Sequence, residues 1–155
     1  MTQDMPVHDI QVIGSKLADD LRAVAIDIPD RSAIAFSGGL DSSILLYLSP
    51  KSIHPYVVGL PGSMDLRSAG ESASLMKRDI AIIDVNEDLV LKAAFNVKKI
   101  DPDIAITDLG FETVLYLTLS GISEDLLVTG QGADEIFYGY HRFLTGGAGT
   151  NVPSI

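Results

Sequence analysis

Seven residues, Ser37-Gly38-Gly39-Leu40-Asp41-Ser42-Ser43, set two adjacent glycines among hydroxyls and a single carboxylate. Gly38 and Gly39 let the backbone turn sharply and bring its N–H groups close to a ligand. Together with the start of a following helix, such N–H groups form an anion site that needs no lysine. Ser37, Ser42 and Ser43 add hydroxyl donors. The lysine of the common phosphate loop, G-x-x-x-x-G-K-[ST], is missing, and Asp41 stands where positive charge is expected. An acid belongs there if a divalent cation bridges it to phosphate, because magnesium favours one or two carboxylates together with phosphate oxygens. A second segment, Thr129-Gly130-Gln131-Gly132-Ala133-Asp134-Glu135, supplies the matching carboxylate, Asp134. The plainer alternatives are a strand–turn–helix with N-capping serines for the first segment and a tight turn capped by Asp134 for the second.

These segments need rigid elements to hold them. Ile10, Ile13, Leu17, Leu21, Val24 and Ile28 recur at spacings of three and four, which predicts an amphipathic helix from about His8 to Asp27, ended by Pro29. Ser32 to Phe36 has no helical period and predicts a buried strand that runs into the glycine loop, with a helix from Asp41 to Leu48 behind it. Ile53 to Leu60 predicts a second strand whose start Pro55 places near an edge. A turn at "PGSMD", a helix over Leu66 to Lys77 and a strand over Ile80 to Val85 follow. Asn86 predicts the cap of a helix reaching Lys99, with Glu87 and Asp88 in its first turn. Beyond the "DPD" break, Phe111 to Gly121 reads as a helix, Leu126 to Thr129 as a fourth strand, and Asp134 to Phe143 as a further helix. Alternating strands and helices predict an α/β fold, a doubly wound parallel sheet with helices on both faces. In such a sheet, ligands bind beyond the carboxyl ends of the strands, where both segments fall.

Composition narrows the function classes. The chain has 155 residues, 46% of them hydrophobic, which suits one domain with a single core. Its apolar runs fall short of the ~20 residues of a membrane helix. The start "MTQDMPVHDI" has neither the basic segment nor the apolar block of a signal peptide. The expectation is a cytoplasmic protein with no membrane partner. Without cysteine, disulfides, thiolate metal sites and a cysteine nucleophile are excluded. Eleven basic residues against 21 acidic give a formal charge of −10, which argues against nucleic-acid partners. Lys92, Lys98 and Lys99 read as a solvated helix face and last turn. Asp101, Asp103 and Asp108 suggest a metal cluster, against which "DPD" reads as a turn that solvates a helix start, and His8, His54 and His141 read as structural.

"SGGLDSS" resembles the signature of the PP-loop ATP pyrophosphatases, which cleave ATP between its α and β phosphates. Within that family the chain resembles the synthetase domain of asparagine synthetases and their relative β-lactam synthetase. "VVGLPGSMDLRSA", Val57 to Ala69, is similar to their second-strand segment. "VTGQGADEIFYGYHRF", Val128 to Phe143, is similar to their "SG-[EQ]-G-[AS]-DE-x-F-x-GY" element. The motifs occur in family order, and the resemblance covers roughly Arg31 to Phe143. It implies an adenine nucleotide alpha hydrolase-like domain over 31–144, preceded by an amphipathic helix over 1–30 and followed by a loop-like tail over 145–155.

The resemblance also implies a reaction. ATP and Mg2+ bind, a carboxylate such as aspartate attacks the α-phosphate, pyrophosphate leaves, and ammonia converts the acyl-adenylate to an amide. By motif position, Asp41 and Asp134 would hold magnesium; Ser37, Gly38, Gly39, Ser42 and Ser43 would hold pyrophosphate. Phe36, Val58, Thr129 and Gly130 would line adenine and ribose. Gln131 stands where asparagine synthetases usually carry a glutamate; glutamine hydrogen-bonds but cannot act as a base at neutral pH. "DPDIAITDLGFETVLYL" lacks the family's serine, threonine and arginine pattern. The family's lysine beyond the "GY" pair has no counterpart among the twelve residues after Phe143. Nitrogen would come from free ammonia or a separate glutaminase subunit, and a homo-oligomer is a further way to complete the site. Two alternatives stand beside this one: another PP-loop adenylating enzyme, and an ATP-binding module that needs a partner.

Overall fold

The apolar spacing near the N-terminus produces α1, Val7–Ile26, as expected. Among the described residues its stripe is only partly covered: Ala25 is buried, whereas Ile10, Ile13 and Val24 are exposed. The computed structural model describes residues 7–133 and residue 136. Asp134, His141, the helix expected to end at Phe143 and the tail lie outside the described residues.

The next elements alternate as far as β3: β1 (Ala33–Ala35), α2 (Leu40–Leu48), β2 (His54–Gly59), α3 (Met64–Leu75) and β3 (Ala81–Asp84); two helices, α4 (Glu87–Ile100) and α5 (Ile106–Gly121), then precede β4 (Leu127–Val128). The strands form one sheet in the order β3-β2-β1-β4. Every pairing is parallel; the register sets Ala33 opposite both His54 and Leu127, and Tyr56 opposite Ala81. The crossovers through α2 and α3 step in one direction, and the connection through α4 and α5 steps back past β1. Right-handed crossovers then place α2 and α3 on one face and α4 and α5 on the other. The side chains agree with this doubly wound arrangement. Ile34, Phe36 and Val57 pack with Leu46 of α2 and with Ala69 and Ala73 of α3. The alternate residues Ala35, Tyr56 and Val58 line a cleft with Val114, Leu115 and Thr118 of α5.

Two expected boundaries move. The last crossover helix begins at Ile106, not Phe111, and the third begins at Met64, not Leu66. Ser63 accepts a hydrogen bond from the Leu66 N–H and so caps α3 inside the expected turn. β2 as a whole pairs with β1 and β3, but its start at Pro55 pairs with β1 alone. The Pro55 ring is tolerated because the His54 N–H donates to Ser32 O on the β1 side, so the nitrogen of Pro55 faces β3. Pairing with β3 begins only at Tyr56.

One side chain ties the first crossover down. Arg78, just after α3, donates to the carbonyls of Leu46, Ser49, Pro50 and Ile53 at 3.3, 3.4, 3.3 and 2.7 Å. It thereby satisfies carbonyls at the C-terminal end of α2 and along the loop to β2. Burial pulls the guanidinium below its ordinary pKa.

Candidate nucleotide site

The glycine loop leaves β1 and enters α2 with no side chain capping the helix, because its N-cap is Gly39, which has no side chain to accept from the first-turn N–H groups. The expected alternative of serine capping is therefore not what the loop does. The first-turn N–H groups of α2 stay available to an anion. Gly38 has φ +77°, and a methyl group built on it would lie 2.8 Å from the Ala69 backbone. Only glycine fits the loop at this approach to α3.

The hydroxyls of Ser37 and Ser42 are engaged within the loop. Ser37 N–H donates to Ser42 Oγ at 3.3 Å, the two Oγ atoms lie 3.1 Å apart, and Gly39 N–H donates to Ser37 Oγ at 3.2 Å. Ser42 Oγ donates in turn to Gly39 O at 3.2 Å. With that proton committed, Ser37 donates to Ser42, and the loop closes as a ring of donors and acceptors. A phosphate oxygen placed where Ser37 Oγ now sits would accept the Gly39 N–H and release the Ser37 hydroxyl as a second donor.

The second segment meets the first directly. A methyl built on Gly130 would lie 3.0 Å from Asp41 Cβ and 3.2 Å from Ser42 N, so the two segments approach too closely for a side chain to fit between them. This contact lies beyond the carboxyl ends of β1 and β4, where the strand order reverses. A cleft of about 950 Å3 opens there, lined by Phe36, Ser37, Asp41, Ser42, Val58, Thr129, Gly130 and Gln131. That volume lies within the ~300–1,000 Å3 range of small-molecule sites. Gly38 and Gly39 join two of the lining residues. Ser43 is placed elsewhere: it lines a groove between α2 and α1 with Leu17, Leu21 and Tyr47. Asp41 is exposed, which leaves its carboxylate open to a cation. Asp41 with phosphate oxygens suits magnesium; Asp134 lies outside the described residues.

Sequence reasoning missed the far wall. Thr107, Asp108, Phe111 and Glu112 face the cleft from the first half of α5, and Asp65 faces it from α3. The available signal was Asp108 in the first turn of a helix, a usual place for an acid. It was obscured because Ala105, at the N-cap, makes no side-chain cap bond.

Tyr56 lines the cleft but turns its hydroxyl toward the opposite end of the strands, donating to Glu124 Oε1 at 3.2 Å. Burial, helped by the carboxylate, raises the Tyr56 pKa above its ordinary value. The Glu124 side chain is 4% exposed and also binds His54 Nδ1. Burial pushes its carboxyl up, but hydrogen bonds from His54, Tyr56 and the backbone outweigh that, and the net shift is down.

The asparagine synthase family model matches residues 30–150. The chain is 26% identical over 162 residues to asparagine synthetase B, glutamine-hydrolyzing, of Escherichia coli, covering 88% of this chain and 28% of that protein. It is 30% identical over 118 residues to a putative glutamine-hydrolyzing asparagine synthetase of Methanocaldococcus jannaschii, covering 73% and 22%. The chain thus spans less than a third of these curated relatives. Among solved structures it is similar to the NH3-dependent NAD synthetase of Campylobacter jejuni, with a TM-score of 0.51 at 16% identity over 84% of this chain and 60% of that one. That likeness concerns the fold.

Proposed function

The chain belongs to the asparagine synthase family, and on that premise we propose that it binds Mg-ATP in the cleft between β1 and β4 and adenylates a small carboxylic acid, aspartate or a similar one. The observation that carries this reading is the close approach of Gly130 to Asp41 and Ser42, which leaves no space for a side chain and brings the two motif segments together at the switch point of the sheet. In the proposed complex the triphosphate lies over the glycine loop. Gly39 N–H and the first-turn amides of α2 face the phosphates, with the Ser37 hydroxyl beside them. Phe36, Val58, Thr129 and Gly130 border adenine and ribose. Asp41, with Asp134 as the second carboxylate, would hold magnesium, which supplies charge neutralisation to the leaving pyrophosphate.

The substrate carboxylate oxygen attacks the α-phosphorus as the bond to pyrophosphate breaks. Ammonia then attacks the acyl carbon, losing a proton, and AMP departs with the amide formed. Gln131 borders this space; its amide can orient a nucleophile without taking its proton. Nitrogen arrives as ammonia, free or from a glutaminase subunit. The absence of a nucleic-acid partner belongs to the same reading, supported by the formal charge of −10, and so does a cytoplasmic place.

Phosphorus NMR of the protein with Mg-ATP, ammonium and a panel of amino acids tests this. AMP and pyrophosphate accumulating in equal amounts is the expected result. ADP and inorganic phosphate would contradict the assigned bond. ATP that binds without conversion under every acid would leave a nucleotide module and contradict the ligase reading.

A further inference from the structure

The glycine loop is restrained by a side chain that belongs to none of the motifs. Ser72, within α3, donates its hydroxyl to the Gly38 carbonyl at 3.1 Å. The same residue, Gly38, is pressed against the Ala69 backbone. In a planar trans peptide, the C=O and the following N–H point in opposite directions. Holding Gly38 O toward α3 therefore aims the Gly39 N–H away from α3, where it meets Ser37 Oγ at 3.2 Å. Two adjacent glycines leave this peptide easy to rotate, so its direction depends on an external restraint.

We propose that Ser72 is a positioning residue for phosphate binding: it locks the Gly38–Gly39 peptide so that the Gly39 N–H is presented to a phosphate oxygen. The inference rests on the reading of the cleft as a Mg-ATP site. Its physical basis is preorganisation, since a donor already fixed in direction need not be ordered when the ligand arrives. The effect acts on phosphate and not on the nucleoside, because Ser72 restrains the loop and does not line the adenine side of the cleft.

Calorimetric titration of the wild type, Ser72→Ala and Ser72→Thr with magnesium pyrophosphate, and separately with adenosine, tests it. Ser72→Ala should weaken pyrophosphate about five- to tenfold, the loss of one hydrogen bond. Adenosine should bind within about twofold of wild type, and Ser72→Thr, which keeps the hydroxyl, should restore pyrophosphate binding. In the protein alone, the Gly39 amide resonance should move in Ser72→Ala and return in Ser72→Thr. Unchanged pyrophosphate affinity in Ser72→Ala would overturn the proposal, as would parallel loss of both ligands. A wild type that binds neither pyrophosphate nor Mg-ATP would overturn the nucleotide reading, and this inference with it.

Discussion

Ser37 and Ser42 direct their hydroxyls at each other and at the Gly39 peptide, while Asp41 leaves its carboxylate to solvent. This division of labour has consequences that substitutions can separate. If Asp41 meets phosphate through magnesium, Asp41→Asn should weaken Mg-ATP about 10- to 100-fold, the scale of a lost charged contact. The same change should strengthen binding of metal-free ATP, because a carboxylate facing bare phosphate repels it. Titrations with and without magnesium check both signs. Gly38→Ala forces a side chain into a backbone with φ +77° and into the Ala69 backbone. It should destabilise the fold by roughly 1–3 kcal/mol in urea denaturation and remove phosphate binding.

The elements that hold the loop depend on contacts of uneven visibility. Arg78 serves four carbonyls between α2 and β2. Arg78→Met should cost about 2–4 kcal/mol in urea denaturation, and Arg78→Lys should recover only part, since an ammonium lacks the guanidinium fork. At the other end of the strands Glu124 ties the start of β2 to the segment before β4. Its folded pKa is depressed, so its contribution is present above the unfolded value of 4.5 and is lost as pH falls through the folded value. Glu124→Gln should therefore flatten the loss of stability below about pH 4.5, read from denaturation midpoints across acid pH.

None of these long-range contacts was legible in the sequence. Arg78 lies 25 to 32 residues from its acceptors, and Glu124 lies 70 from His54. Local spacing carries no record of such pairs. What is local was legible: the Asn86 cap accepting from the Leu89 N–H, the lysines in the last turn of α4, and the short apolar strands between proline and glycine breaks. The start of α5 failed for a local reason as well, since no capping side chain stands at Ala105.

At the scale of the whole molecule, the doubly wound fold was readable from the succession of strands and helices, but the strand order was not. The order β3-β2-β1-β4 then fixes where a ligand belongs. The two glycine-bearing segments meet there, a contact that sequence proximity could not reveal across almost 90 residues, Asp41 to Gly130. The acidic far wall on α5 was not foreseen, because reading Asp108 as a turn acid put it outside any site. Amide NMR of the protein titrated with ATP, with and without magnesium, reads the proposed nucleotide site residue by residue. If ATP binds there, resonances of Gly38, Gly39, Asp41, Thr129 and Gly130 should move together, saturate at one affinity and require magnesium for tight binding. Shifts confined to other residues, or binding indifferent to magnesium, would contradict it.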